Sequence, residues 1–199
     1  MRITSERPLV LGSASPRRRD LLALLEVPVF VRAASVDESQ RSGEDPRQYL
    51  ERVSQAKLDA IRRSALPPAA GVLVADTIVV APDGGILGKP AGEGDARSMI
   101  VRLAGATHEV RTRFLLGGVQ AGAAPEHAQT VVTRVTFRSP SAEEVSAYVA
   151  SGEGNDKAGA YAAQGRAAAF IERIDGSYTN VVGLPLCEVV VAMQRLGWL

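Results

Sequence analysis

The apolar positions of the chain fall into short unbroken runs separated by segments of helical spacing. Pro8 to Gly12 is such a run and reads as a buried strand. Ser15 and Pro16 then open a helix, with serine at the N-cap and proline in the first turn, and Leu21, Leu22, Leu24 and Leu25 supply its apolar side. Val29 to Ala33 is a second short strand, and Asp45 with Pro46 starts a helix that runs to about Ser64. Val72 to Val80 is strongly apolar and β-branched, which suits a central strand. Gly84 and Gly85 make a turn before Ile86 and Leu87, and Gly94 to Leu103 is helical. Val110 to Gly117 and Thr130 to Phe137 read as long strands around an Ala/Gly loop. Ser141 and Glu144 form a capping box for a helix ending near Gly152. Ala168 to Ile174 is a strand, and Leu184 to Leu196 a closing helix. The alternation predicts an α/β fold on a mixed sheet. With 199 residues, no repeat and no low-complexity linker, it predicts a single domain over residues 1–199.

Composition narrows the function classes. Hydrophobic residues at 46% and charged residues at 23% exclude a disordered chain. A formal net charge of +1 leaves no global field to draw in nucleic acid or a membrane surface, so any anion must be held by a local cluster. The one cysteine, Cys187, permits no intramolecular disulfide and no Cys-x-x-Cys chemistry, and reads as a small buried residue on the last helix. The N-terminus lacks the apolar core of a signal peptide and no stretch has the length of a membrane span, which predicts a cytoplasmic protein. His108 and His127 have no metal-ligand spacing, and no serine has a His-Asp partner pattern.

Several segments carry candidate chemistry. In Gly12-Ser13-Ala14-Ser15-Pro16-Arg17-Arg18-Arg19 a strand ends in small residues and a helix begins at once. Free amides and the dipole of a helix start favour an anion there, and arginines add planar donors suited to phosphate. A basic solvated helix start is the plainer reading. Consecutive helical residues splay by roughly 100°, so Arg17 and Arg18 are placed in the site and Arg19 outside it. Lys57 falls on the apolar stripe of Leu50, Val53 and Ile61. Its ammonium must snorkel or meet a negative partner, and spacing alone supports both equally. Asp76, with Thr77 after it, interrupts the apolar run Val72 to Val80. A carboxylate there is desolvated, which points to metal ligation or general-base work rather than to a loop-binding aspartate. Glu38, in Val36-Asp37-Glu38, sits on a polar loop that alone reads as surface. Gly88-Lys89-Pro90 can fix an ammonium over a ligand, though the string is short. In Asp156-Lys157-Ala158-Gly159-Ala160-Tyr161-Ala162-Ala163-Gln164-Gly165, small residues surround a ring and an amide that offers both donor and acceptor to a base edge; an ordinary glycine-rich loop is the alternative. Gly176-Ser177-Tyr178-Thr179-Asn180 through Leu186 reads as a structural connection that docks the last helix. Phosphate donors beside one or two carboxylates favour metal-assisted attack of water on a polyphosphate.

These strings, in this order, resemble the Maf family of nucleoside triphosphate pyrophosphatases, once described as septum formation inhibitors. The resemblance runs from Leu11 to the last helix. It implies a fold similar to the inosine triphosphatase group: an elongated mixed β-sheet with flanking helices, in two lobes around a cleft. It implies that Asp76 is the proton acceptor, that Glu38 and Asp76 hold a divalent cation, Mg²⁺ or Mn²⁺, and that Ser13, Arg18, Lys57 and Lys89 meet phosphates. It also implies a homodimer. At Arg17, Thr77 and Gln164 the chain looks like the subgroup that acts on dTTP and UTP, with CTP and modified pyrimidine nucleotides as further substrates; the 7-methyl-GTP subgroup carries other residues there. The segment Gln164-Gly165-Arg166-Ala167-Ala168 departs from relatives that place more glycines in it. The competing readings are a pyrophosphatase for 7-methyl-GTP or other modified nucleotides, and a non-catalytic nucleotide-binding regulator of cell division. Charge balance counts against a nucleic-acid partner, and nothing in the chain suggests a membrane one.

Overall fold

The computed structural model describes residues 2–199. In chain order the elements are β1 (Leu9–Leu11), α1 (Pro16–Ala23), β2 (Val29–Val31), α2 (Pro46–Arg63), β3 (Gly71–Val80), β4 (Ile86–Leu87), α3 (Glu93–Leu103), β5 (Thr107–Gly117), β6 (His127–Phe137), α4 (Ala142–Ala150), β7 (Ile171–Asp175), α5 (Tyr178–Val182) and α6 (Leu186–Arg195). Short 3₁₀ turns cover Ala158–Ala160 and Arg166–Phe170. The seven strands form one sheet in the order β2-β1-β3-β5-β6-β7, with β4 paired to β3. β1 runs parallel to both β2 and β3, whereas β4 and β7 pair antiparallel with β3 and β6. The fold is therefore α/β on a mixed sheet with flanking helices, as the apolar pattern predicts.

The chain divides into two compact units. The first comprises the residues up to Asp76, with Thr112–Val131 and Gly183–Leu199. Its strands show the period of two that a sheet covered on both faces requires. Leu9, Leu11, Leu73, Phe114 and Leu116 pack with Val189, Met193 and Trp198 on one side. The alternate residues Val10, Val72, Val74 and Leu115 pack with Leu58 and Ile61 of α2 on the other. A capping box fastens the start of α2: the Asp45 carboxylate accepts from the amides of Arg47 and Gln48, and the Gln48 side chain accepts from the Asp45 amide.

The second unit comprises Thr77–Arg111 and Val132–Val182. Its core joins Val79, Leu87, Ile100, Leu103, Val110 and Val135 to the rings of Phe137, Tyr148, Tyr161 and Phe170. Asn180 is fully buried there and donates to the Val110 carbonyl and to Thr133 Oγ1, so the Gly176 to Leu186 segment does structural work, as its composition suggests.

Several local expectations are corrected. Ala168 to Phe170 belong to a 3₁₀ turn and the strand begins at Ile171; the buried residues Ala167 and Phe170 stand at i and i+3, the spacing of that turn. α5 is not expected, because its five residues are too few to show a helical period, and the one that is fully buried is the polar Asn180. Leu24 caps the end of α1 and is 70% exposed, so it adds nothing to that helix's apolar side. Ser15 occupies the N-cap of α1 without a side-chain hydrogen bond to the first turn. Cys187 is exposed, not buried. It precedes buried Val189 by two residues, roughly 200° around α6, and so faces away from the core.

His108 lies in the second unit's core with its Nε2 2.9 Å from Tyr161 Oη and its ring edge-on to Phe137. Burial pushes its pKa down to about 4. Between that value and the ordinary 6.5 the unfolded chain binds a proton that the folded one refuses, so stability falls as pH drops through this window and is level above it. The contribution is at most about 1.4 kcal/mol per pH unit. Urea denaturation of the parent and of His108→Gln from pH 7 to 4 checks this. The parent is expected to lose up to a few kcal/mol more than the variant below pH 6.5; parallel curves would exclude His108 as the source.

Candidate active site

β1 ends at Leu11, and Gly12 carries the chain between Val74 and Ile61, where a Cβ would lie 2.6 Å and 2.9 Å from their side chains. The next residue, Ser13, is buried, and its Oγ accepts from the Ser15 amide and from Arg18 Nη1, each at 3.2 Å. Arg18 is buried at the start of α1. Its Nη1 also donates to the Ala75 carbonyl at 2.7 Å, and its Nε to the Gly183 carbonyl at 2.8 Å. The guanidinium thus clamps the strand next to Asp76, the end of β1 and the segment before α6. Burial pulls its pKa below the ordinary arginine value, and the Asp76 charge opposes that shift. Arg17 is half-buried, while Arg19 is exposed and lies 3.8 Å from the Asp20 carboxylate, outside the cluster.

α2 turns Tyr49, Leu50, Val53, Lys57, Leu58 and Ile61 inward. Lys57 does not snorkel. Its Nζ lies 2.5 Å from Asp76 Oδ1 and 2.9 Å from Glu38 Oε1, with the lysine and aspartate side chains 8% and 7% exposed. Asp76 sits buried in the largely apolar strand β3, so its charge is desolvated and this ammonium lies against it. Glu38 comes from the irregular segment between β2 and α2, and its side chain is 43% exposed. The first unit therefore brings Ser13, Arg18, Glu38, Lys57 and Asp76 together, with two cations facing two carboxylates. Two residues that periodicity does not mark as chemical, Tyr49 and Arg52, hold the Glu38 segment: Tyr49 Oη donates to the Glu38 carbonyl at 2.9 Å and Arg52 donates to its neighbours. The available signal was that Tyr49 shares the stripe of Lys57.

Thr77 follows Asp76 in β3 and is half-buried. In the second unit Lys89 is exposed between β4 and α3. The Gly88 carbonyl beside it accepts from the Gly159 amide at 3.0 Å, which joins the Lys89 string to the glycine-rich segment. Gly159 has φ +69° and its Cβ would press on Val79, two reasons for glycine there. Tyr161 is buried, and the Ala162 amide donates to Tyr148 Oη at 3.1 Å. Gln164 is exposed in the turn closed by the Gly165 amide on the Ala162 carbonyl.

Glu38 and Asp76 offer hard oxygen donors within reach of one ammonium, a donor set that suits Mg²⁺ or Mn²⁺. Among the described residues no third carboxylate, histidine or cysteine joins them. A cation held there would need its remaining ligands from water or a bound substrate, which is how Mg²⁺ is commonly bound.

A family model described as Maf-like protein matches residues 8–196, a span that contains every residue of this site. Relatives include the dTTP/UTP pyrophosphatase of Myxococcus xanthus, 45% identical over 95% of this chain and 92% of that protein. The dTTP/UTP pyrophosphatase of Syntrophus aciditrophicus is 47% identical over 95% of this chain and 90% of that protein. The protein of the same name from Geobacter sulfurreducens is 47% identical over 95% and 96%. With a family match over nearly its whole length and relatives of this identity, the chain belongs to the Maf family.

Proposed function

We propose that this protein is a nucleoside triphosphate pyrophosphatase that hydrolyses dTTP and UTP to the monophosphate and pyrophosphate, as a house-cleaning enzyme of the nucleotide pool in the cytoplasm. CTP and modified pyrimidine nucleotides are further substrates of the same chemistry. The observation that carries the reading is the desolvated Asp76 carboxylate against Lys57, with Glu38 on the same ammonium. The names of the relatives support the substrate class. No helix among the described residues is long and apolar enough to cross a membrane.

In this mechanism water attacks the α-phosphorus and the bond to the bridging oxygen of the β-phosphate breaks, so that pyrophosphate leaves. Asp76 accepts the proton of the attacking water. Ser13, Arg18, Lys57 and Lys89 hold the triphosphate, and their charge offsets what builds on its oxygens. Glu38 and Asp76 would hold the divalent cation, which would polarise the phosphoryl oxygens and make water a stronger acid. Lys57 already lies against both carboxylates before the substrate arrives. Residues 1–199 act as one catalytic domain. A non-catalytic regulator would need the phosphate contacts but has no use for a buried carboxylate that is costly to desolvate.

Turnover of dTTP and UTP with Mg²⁺ or Mn²⁺ is expected to yield monophosphate and pyrophosphate. Asp76→Asn keeps the shape and removes the charge, and is expected to lose at least about a hundredfold in rate while circular dichroism shows an unchanged fold. Near-normal turnover would remove Asp76 from the mechanism, and orthophosphate as the first product would move the cleavage position.

Base selection is assigned to Arg17, Thr77 and Gln164. Thymine and uracil present a ring N–H between two carbonyl oxygens, and the Gln164 amide can accept from the first and donate to a second. Discrimination by buried hydrogen bonds is steep because the wrong base leaves polar groups unpaired. The parent is expected to prefer dTTP and UTP over ATP, GTP and 7-methyl-GTP. Gln164→Glu is expected to flatten that ranking more than it raises the substrate requirement. Specificity constants on one nucleotide set decide it; an unchanged ranking in the variant would release Gln164 from the role.

A further inference from the structure

Glu38 is more exposed than its two partners and lies on a segment without regular structure, yet its carboxylate is placed on Lys57. Holding such a group costs backbone and side-chain freedom, so the segment needs a fastening. α2 supplies one. Arg52 Nη2 donates to the Ser39 carbonyl at 2.8 Å, Tyr49 Oη to the Glu38 carbonyl at 2.9 Å, and Arg52 Nη1 reaches the Asp37 carbonyl at 3.4 Å. Three successive carbonyls centred on Glu38 are thus held from one helix. The other edge of the guanidinium forks onto Glu44, with Nε 2.5 Å from Oε1 and Nη2 2.7 Å from Oε2. Glu44 closes the segment in turn: its carboxylate accepts from the Arg41 amide and its carbonyl from Gln40 Nε2. The Arg52 plane also lies over the Tyr49 ring, 5.5 Å from its centroid.

This arrangement differs from an ordinary surface ion pair, which contributes little. The fork is bidentate, and the Arg52 and Glu44 side chains are only 18% and 8% exposed. The Arg52 hydrogen bond holds the Glu44 carboxyl down to about 2, so both partners stay charged throughout the neutral and mildly acidic range. Arg52 touches none of Lys57, Asp76 or the Glu38 carboxylate in these contacts. It acts on the backbone that carries Glu38.

We propose that Arg52 is a positioning residue that works through Glu38: by holding the carbonyls on either side, it keeps the Glu38 carboxylate beside Lys57 and Asp76, where it takes part in binding a divalent cation. The inference rests on the reading of Glu38 as a cation ligand given above. Lysine at position 52 could keep one carbonyl contact but not the fork.

The test measures binding of Mn²⁺ alone to the protein by the electron paramagnetic resonance of free Mn²⁺. Parent, Arg52→Met, Arg52→Lys, Glu38→Gln and the double variant Glu38→Gln/Arg52→Met are compared, with amide hydrogen exchange across residues 36–44. Arg52→Met is expected to weaken Mn²⁺ binding about ten- to a hundredfold, the range for residues that orient metal ligands, and to speed exchange in 36–44 while α2 stays protected. Arg52→Lys is expected to fall between parent and Arg52→Met. It also replaces Arg52→Met in the comparison, alone and in the Glu38→Gln background, if that variant does not fold. In the Glu38→Gln background the loss of Arg52 is expected to add less than about threefold to the loss in Mn²⁺ affinity. The proposal is overturned if Arg52→Met binds Mn²⁺ like the parent, or if it loses the same factor with and without Glu38. A parent that binds no Mn²⁺, or a Glu38→Gln variant with unchanged affinity, would instead overturn the reading of Glu38 itself, and the proposal with it.

Discussion

The site is organised around the contact between the Lys57 ammonium and the Asp76 carboxylate, both of them nearly closed to water. Burying two charges is expensive, and their attraction offsets the desolvation only when geometry and further contacts are good. The surroundings supply those contacts. Glu38 gives Lys57 a second carboxylate, and Arg18 holds the Ala75 carbonyl, so that β3 is fixed at the residue before Asp76. Even so, such a pair is seldom the most stable filling for its space. On the proposed function its value is chemical: a carboxylate kept dry beside a cation is a group that can take a proton or hold a metal, which an apolar side chain is not.

The first unit is built so that this pair cannot drift. β1 and β3 are parallel neighbours whose side chains are buried on both faces, and α2 packs one of those faces through Leu58 and Ile61. Lys57 is carried on the same stripe, so its position follows from the packing of the helix. Gly12 is what lets β1 leave the sheet close enough for Ser13 to meet Arg18. Only Glu38 is outside this rigid frame, and its segment is tied to α2 by hydrogen bonds rather than by apolar packing. A carboxylate on a segment held in that way can be ordered without being part of the core.

How much of this was legible in the chain depended on the range of the contacts. β3, α2 and the capping boxes are local, and their period or cap residues announce them. Lys57 stood out because an ammonium on an apolar stripe needs a reason, but its carboxylate partners lie 19 residues away in sequence on either side, in a loop and in a strand. The contact of Arg18 with Gly183, 165 residues away, is beyond any spacing argument. The ordered motifs bridged that gap, because together they identify the family. What they left obscure was structure without apolar pattern. α5 is only five residues long; the turn before β7 is rich in alanine; and Cys187 and Leu24 lie on the outer sides of helices whose inner sides alone set the period.

On the proposed function the Lys57–Asp76 pair is kept for chemistry rather than for stability. The direct measurement is the unfolding free energy, by urea, of Lys57→Met, Asp76→Leu and the double variant. Lys57→Met leaves the Asp76 charge buried without its ammonium and is expected to cost about 3–5 kcal/mol; Asp76→Leu, which leaves Lys57 its contact with Glu38, is expected to cost less, and removing both puts two apolar groups of similar volume in contact. On this reading the double variant is about as stable as the parent, or more stable, with hydrolysis of dTTP and UTP abolished. A double variant destabilised by the sum of the two single losses would contradict it and make the pair a structural tie.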